Sequence, residues 1–131
     1  MSKHPYDQVE EFHKCFKHPV NGGFSKGSIE LRAELIEEEF HELMDELIDN
    51  DNTPKMPIDK VKLTKELADL LYVAYGMAVA FGLPIKEVFD EVHLSNMKKV
   101  FPDGKPRYRD DGKVLKPKDW VEPNFSQYFQ G

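Results

Sequence analysis

From Leu70 to Ile85 the chain runs sixteen residues without a charged side chain. The run falls short of the ~20 apolar residues that span a bilayer, and Gly76, Gly82 and Pro84 interrupt it. What remains is a helix ending near Phe81 and then a turn, with Gly82 where glycine is favoured after a last helical turn and Pro84 opening the next helix. Such a helix is apolar on nearly every side, so it must be buried on nearly every side. Other helices have to surround it, which points to an all-α fold. A length of 131 residues makes this one domain with a modest core.

The pattern predicts four helices in all. Tyr6 to His18 carries Val9, Phe12 and Phe16 at i, i+3, i+7 before the breakers Pro19 and Asn21-Gly22-Gly23. Ser28 is the expected N-cap of a second helix bearing Leu31, Leu35, Ile36, Phe40, Leu43, Met44 and Leu47, which ends at Asn50-Asp51-Asn52-Thr53-Pro54. The apolar run closes a third helix, Ile58 to Phe81. A fourth runs from Pro84 to about Val100 with Val88, Phe89, Val92 and Met97 turned inward. Beyond Phe101 the turn dipeptides Asp103-Gly104 and Asp111-Gly112 and the prolines 102, 106, 117 and 123 forbid a further long helix. The expected architecture is one domain over 1–131: a four-helix bundle over about 6–100, and an irregular tail over 101–131 that wraps the bundle or a neighbour.

Charge is unevenly spread. Glu30 to Asp51 holds ten acids and one base, Arg32, whereas Lys98 to Lys118 holds eight bases and three acids. The chain as a whole carries a formal charge of −6, which argues against a nucleic-acid or anionic-membrane surface. No apolar stretch follows Met1-Ser2-Lys3-His4-Pro5, and the single Cys15 cannot form an internal disulfide, so a cytoplasmic location is expected. Cys15-x-x-His18 lacks the second half of a zinc pattern and is expected to be a lone buried thiol.

At ~100° per residue, and with Ile36 at 0°, the second helix puts Phe40, Leu43 and Leu47 within about 40° of the buried direction. Glu30, Glu34, Glu37, Glu38, His41 and Asp45 fall on the solvent side. Glu39, Glu42 and Glu46 fall instead along the edge of the apolar stripe. In the third helix Asp69 is the sole charge between Leu67 and Phe81. An ionised carboxylate among apolar neighbours is costly unless paired or metal-bound. Both helices thus present two acids three residues apart, Glu39/Glu42 and Glu66/Asp69, and antiparallel packing would make all four converge. All-oxygen ligands favour Mg²⁺ or Mn²⁺. The bland alternative is a solvated edge paired with Lys60, Lys62, Lys65 and Lys86.

The segment Glu38-Glu39-Phe40-His41-Glu42, followed 24 residues later by Glu66-Leu67-Ala68-Asp69, resembles the EExxE and ExxD signature of the MazG-like all-α nucleoside triphosphate pyrophosphohydrolases. That superfamily also includes dimeric dUTPases and phosphoribosyl-ATP pyrophosphohydrolase. The stretches Val9-Glu10-Glu11-Phe12-His13, Asp69 to Gly76, Glu91 to Lys99 and Asp103-Gly104-Lys105-Pro106 are similar to its phage-type and small bacterial branch. The resemblance implies hydrolysis of a nucleoside triphosphate to monophosphate and pyrophosphate, with Mg²⁺ or Mn²⁺ held by Glu39, Glu42, Glu66 and Asp69. It makes Glu38 and Glu39 the candidate catalytic carboxylates, Glu38 as a further ligand or water-activating base. It also implies a homo-oligomer, as does the apolar surface all round the third helix: a dimer at least and a tetramer by preference, with the third helix against its copy and the tail from Phe101 reaching across a neighbour.

On the fourth helix Asn96 and Lys99 continue the stripe begun by Phe89 and Val92, so polar groups stand where apolar ones would, as a phosphate-contacting pair requires. Arg107 and Tyr108 on the tail are further substrate-binding candidates, with a dNTP as the expected substrate. Two rival readings stand beside this one. Glu38-x-x-His41 fits a di-metal carboxylate bundle doing redox chemistry, and an acidic helical module could simply assemble with partners.

Overall fold

The computed structural model describes residues 3–129; the first two residues of the N-terminal segment and the last two of the expected tail lie outside the described residues. Among the described residues there are four α-helices and no β-strand: α1 Pro5–Cys15, α2 Lys26–Asp45, α3 Lys60–Phe81 and α4 Ile85–Met97, followed by a 3-10 turn Ser126–Phe129. They fall into two compact units, one holding α1 to α3 and ending at Leu83, the other beginning at Pro84.

In the first unit α1 and α2 both pack on α3. The Ala78-Val79-Ala80 stretch is buried, because small side chains let neighbouring backbones come close. Val9 of α1 is buried as expected. The Gly22 N–H donates to the Ala80 carbonyl at 2.6 Å, so the connector between α1 and α2 is fixed to α3 at that point. Gly82 ends α3 at φ 66, a left-handed conformation that costs an L side chain about 1–2 kcal/mol. The α2 cap is corrected: Ser25, not Ser28, precedes the helix, and its hydroxyl accepts the Ser28 N–H at 3.2 Å. Ser28 lies inside the first turn, three residues on from the true cap. Asp59 plays the same part for α3, accepting the Lys62 N–H at 3.1 Å.

Several side chains expected inside are outside. Leu31, Phe40 and Phe16 are exposed, because a helix with one main neighbour buries only a narrow strip rather than a full bundle face. Cys15 is exposed as well, at the last residue of α1.

In the second unit the tail folds on α4. The Trp120 indole N–H donates to the Ser95 carbonyl at 2.9 Å, and the Tyr128 hydroxyl donates to Glu91 Oε1 at 3.2 Å. Ser95 is the buried residue of α4. Phe89, Val92 and Met97, expected inward, are exposed, since within this unit only irregular tail packs on α4. Tyr108 and Val114 bridge antiparallel around the turn ending at Gly112, φ 88, where the sequence places Asp111-Gly112.

Candidate metal centre

Three neighbouring pairs fix the register of α2 on α3. Glu42 shares a hydrogen bond with Glu66, Glu39 feels Asp69 more than Glu66, and Arg32 lies by Gly76. As α2 numbers fall, α3 numbers rise, so the helices run antiparallel. The i, i+3 spacing puts each acid pair on one face. The result is four carboxylates, Glu39, Glu42, Glu66 and Asp69, each offering one oxygen within 4.8 Å of all the others. Glu38 is exposed one residue before Glu39 and is not among them. His41 is exposed too, with its ring against Phe40, and the cluster contains no histidine.

Lys65 is the cation found beside the cluster. Its ammonium lies 2.6 Å from Asp69 Oδ2 and 3.7 Å from Glu66 Oε1. One ammonium cannot balance four carboxylates, and it stands largely in water, where such pairs contribute little. Glu39 Oε2 and Glu66 Oε2 are buried with no hydrogen-bond partner. Burial, then the nearness of Glu42, Asp69 and Glu66, holds the Glu39 carboxyl above the usual carboxylate range. Burial and Glu42 raise Glu66 likewise, with Lys65 pulling the other way. Orphaned buried oxygens and repelling charges are what a divalent cation relieves, so these residues fit one. Carboxylate oxygens alone suit a hard cation such as Mg²⁺ or Mn²⁺.

A carboxyl whose pKa is higher folded than unfolded binds more protons in the native state. Its contribution to stability therefore improves as pH falls through the folded value towards the unfolded one. The buried neutral His13 acts in the opposite direction, so the cluster's part is read as a difference: the metal-free wild type is expected to gain melting temperature relative to Glu39→Gln as the pH is lowered from about 7 to about 5, and Mn²⁺ at neutral pH should remove that difference. Thermal melts of wild type and Glu39→Gln check this: a variant as pH-sensitive as the wild type would mean that the cluster is not the source.

The other sequence candidates lie in the second unit. The Lys99 ammonium stands 5.4 Å from the Trp120 ring centroid, with Lys116 at 4.8 Å. Asn96 is exposed on α4. Arg107 lies over the Phe101 ring at 4.1 Å and pairs with Asp103. Tyr108 is exposed at its bridge.

Two buried polar residues escaped the sequence reading. Arg32 is 4% exposed and His13 2%. Each carried a signal: Arg32 falls near 320° on the α2 wheel, inside the apolar stripe, and His13 lies four residues from the buried Val9.

The sequence profile of phosphoribosyl-ATP pyrophosphohydrolase matches residues 9–96, which takes in all four clustered acids and ends at Asn96. An uncharacterized protein of Acanthamoeba polyphaga mimivirus is 31% identical over 110 residues, covering 79% of this chain. The chain spans 38% of that relative's length.

Proposed function

Because the chain belongs to the phosphoribosyl-ATP pyrophosphohydrolase family, within the MazG-like all-α nucleoside triphosphate pyrophosphohydrolases, we propose that it hydrolyses a nucleoside triphosphate, preferentially a dNTP, to the monophosphate and pyrophosphate. The observation that carries the reading is the convergence of Glu39, Glu42, Glu66 and Asp69 from two antiparallel helices, with two buried oxygens unpartnered. A divalent cation held by these four, Mg²⁺ or Mn²⁺, supplies charge neutralisation on the phosphate oxygens and a more acidic bound water. The bond broken is the α–β phosphoanhydride; water adds its oxygen to the α-phosphorus and pyrophosphate leaves.

In this reading Glu38, exposed one residue before Glu39, accepts the proton of the attacking water and orients it. Glu39 holds the cation beside it. Asn96 and Lys99 contact phosphate oxygens, an amide donor and a point charge being suited to that task. Arg107 and Tyr108 are the further substrate contacts proposed, with the catalytic domain taken as 1–131. A cytoplasmic location fits such a substrate, and there the enzyme would trim the nucleotide pool or remove damaged nucleotides. No helix among the described residues is long and apolar enough to cross a membrane.

The test is a panel of the NTPs, the dNTPs and phosphoribosyl-ATP, with released pyrophosphate measured with Mg²⁺, with Mn²⁺ and with chelator. Metal-dependent pyrophosphate release from a dNTP is the expected result, and phosphate release instead would sink the reading.

Assembly is part of the proposal. Ile29, Leu31 and Phe40 on α2 and Leu67, Leu71 and Tyr72 on α3 are exposed, and large apolar side chains left in water favour association. Light scattering at micromolar concentration is expected to give at least twice the 15.2 kDa chain mass, as a dimer or tetramer. A fully active species of one chain mass would overturn this.

A further inference from the structure

Arg32 carries a charge into the interior of the α1–α3 unit with no carboxylate paired to it among the described residues. Its side chain is 4% exposed, and Nη2 has no hydrogen-bond partner. A buried guanidinium in that state is strongly disfavoured until an acceptor reaches it.

The surrounding helices make room for the group. A Cβ on Gly76 would stand 3.1 Å from Arg32 Nη1 and 3.4 Å from His13 Nε2, so the glycine leaves space that both polar groups face. His13 Nδ1 lies 2.7 Å from the Pro19 carbonyl. A carbonyl only accepts, so the ring proton is on Nδ1 and the Nε2 of the neutral ring is an acceptor. Burial favours that neutral form, and the positive charge of Arg32 adds to it. A donor and an acceptor therefore stand side by side at the junction of three helices.

Their position relative to the carboxylates sets a length. Arg32 is seven residues from Glu39, and Gly76 seven from Asp69, close to two full turns, so both pairs share one face about 10 Å apart. A nucleoside monophosphate spans a comparable distance from phosphate to base. Between the two levels lies Tyr72, its ring edge-on to Phe12 at 5.6 Å, with Phe16 4.6 Å from Phe12. Tyr72 and Phe16 are exposed, so this aromatic layer opens to solvent.

We propose that Arg32, with His13 beside it, reads the nucleobase of the substrate whose phosphates meet the four carboxylates, selecting bases that present a carbonyl next to a ring N–H. Guanine, uracil and thymine share that edge. The inference rests on the pyrophosphohydrolase reading. The Arg32 Nη2 donates to the base carbonyl, which gives that unpartnered atom its acceptor, and His13 Nε2 accepts from the ring N–H. The base arrives by parting Phe12 from Tyr72, whose rings then flank it. Adenine and cytosine carry the opposite pattern, a ring nitrogen that accepts and an exocyclic amine that donates, so they can meet the pair only by shifting sideways from the position that the carbonyl edge takes.

The experiment compares kcat/KM for dGTP, dUTP, dTTP, dATP and dCTP in wild type, Arg32→Met and Arg32→Lys. Wild type should favour the carbonyl bases by about ten- to a hundredfold, and Arg32→Met should compress that preference to within about threefold. Arg32→Lys keeps the charge without the planar fork and should fall between. An equal loss on all five substrates would assign Arg32 a purely structural role and overturn the proposal. Should neither variant fold, 1-methyl-dGTP tested on wild type decides: blocking the ring N–H should lower its kcat/KM at least about tenfold below dGTP, and parity would overturn it. Calorimetric binding of dGMP and dAMP with Mn²⁺ separates the two readings. If no nucleotide is hydrolysed but dGMP still binds in an Arg32-dependent way, the reaction falls and the base reading stands. Hydrolysis at equal rates for all bases does the reverse.

Discussion

Asp69→Asn is expected to lower pyrophosphate release by on the order of 10³-fold and to weaken Mn²⁺ binding, while the helical fold survives. The substitution removes a charge without changing shape. Of the four acids Asp69 is the one that interrupts an otherwise uncharged helical stretch, and its oxygen lies within 4.8 Å of the other three. Loss of the Lys65 pair costs little, because that lysine is 66% exposed on its side chain and exposed pairs contribute about 0–1 kcal/mol. Relief of repulsion on Glu39, to which Asp69 contributes, acts the other way. The metal-free variant should therefore melt at or above the wild-type temperature. Pyrophosphate assay, calorimetric Mn²⁺ titration and circular dichroism together check this. Wild-type turnover in Asp69→Asn would remove the basis for the catalytic reading, and collapse of the helical signal would show Asp69 to be structural.

The acids were legible in the sequence because their geometry is local. Three-residue spacing places Glu39 with Glu42, and Glu66 with Asp69, whatever else the chain does, and the antiparallel arrangement of neighbouring helices then brings the pairs together. Gly82 was legible for a similar reason, since a left-handed residue after a helix is a local demand. Burial was harder to read. Phe16, Phe40 and Phe89 have the right periodicity and are exposed, because periodicity states which face is apolar and not whether anything covers it. Arg32 was missed in the opposite sense. It entered only as the one base among the acids of the second helix, although its angle put it in the stripe. The reason for its burial lies on two other helices, in the missing side chain of Gly76 and in the ring of His13, and no single-helix pattern contains that information.

Gly76→Val is expected to destabilise the protein by about 3 kcal/mol, lowering the melting temperature by roughly 10 °C, whereas Gly76→Ala should be nearly neutral. Glycine inside a helix costs about 1 kcal/mol relative to alanine, and α3 retains it. The alanine Cβ would gain that propensity, but it would sit 3.1 Å from Arg32 Nη1, the end of a flexible side chain that can yield by a few tenths of an ångström, so the two effects offset. Valine adds two methyl groups in the direction of Arg32 and His13, both of them buried. The guanidinium has to leave its place, the His13 bond to the Pro19 carbonyl is strained, and a β-branched residue gives back part of the helix gain. Thermal denaturation of the two variants at one pH reads the difference directly. Equal stability of the Gly76→Val and Gly76→Ala variants would mean that Arg32 does not occupy the space opened by Gly76, and the polar pair at the three-helix junction would lose its structural basis.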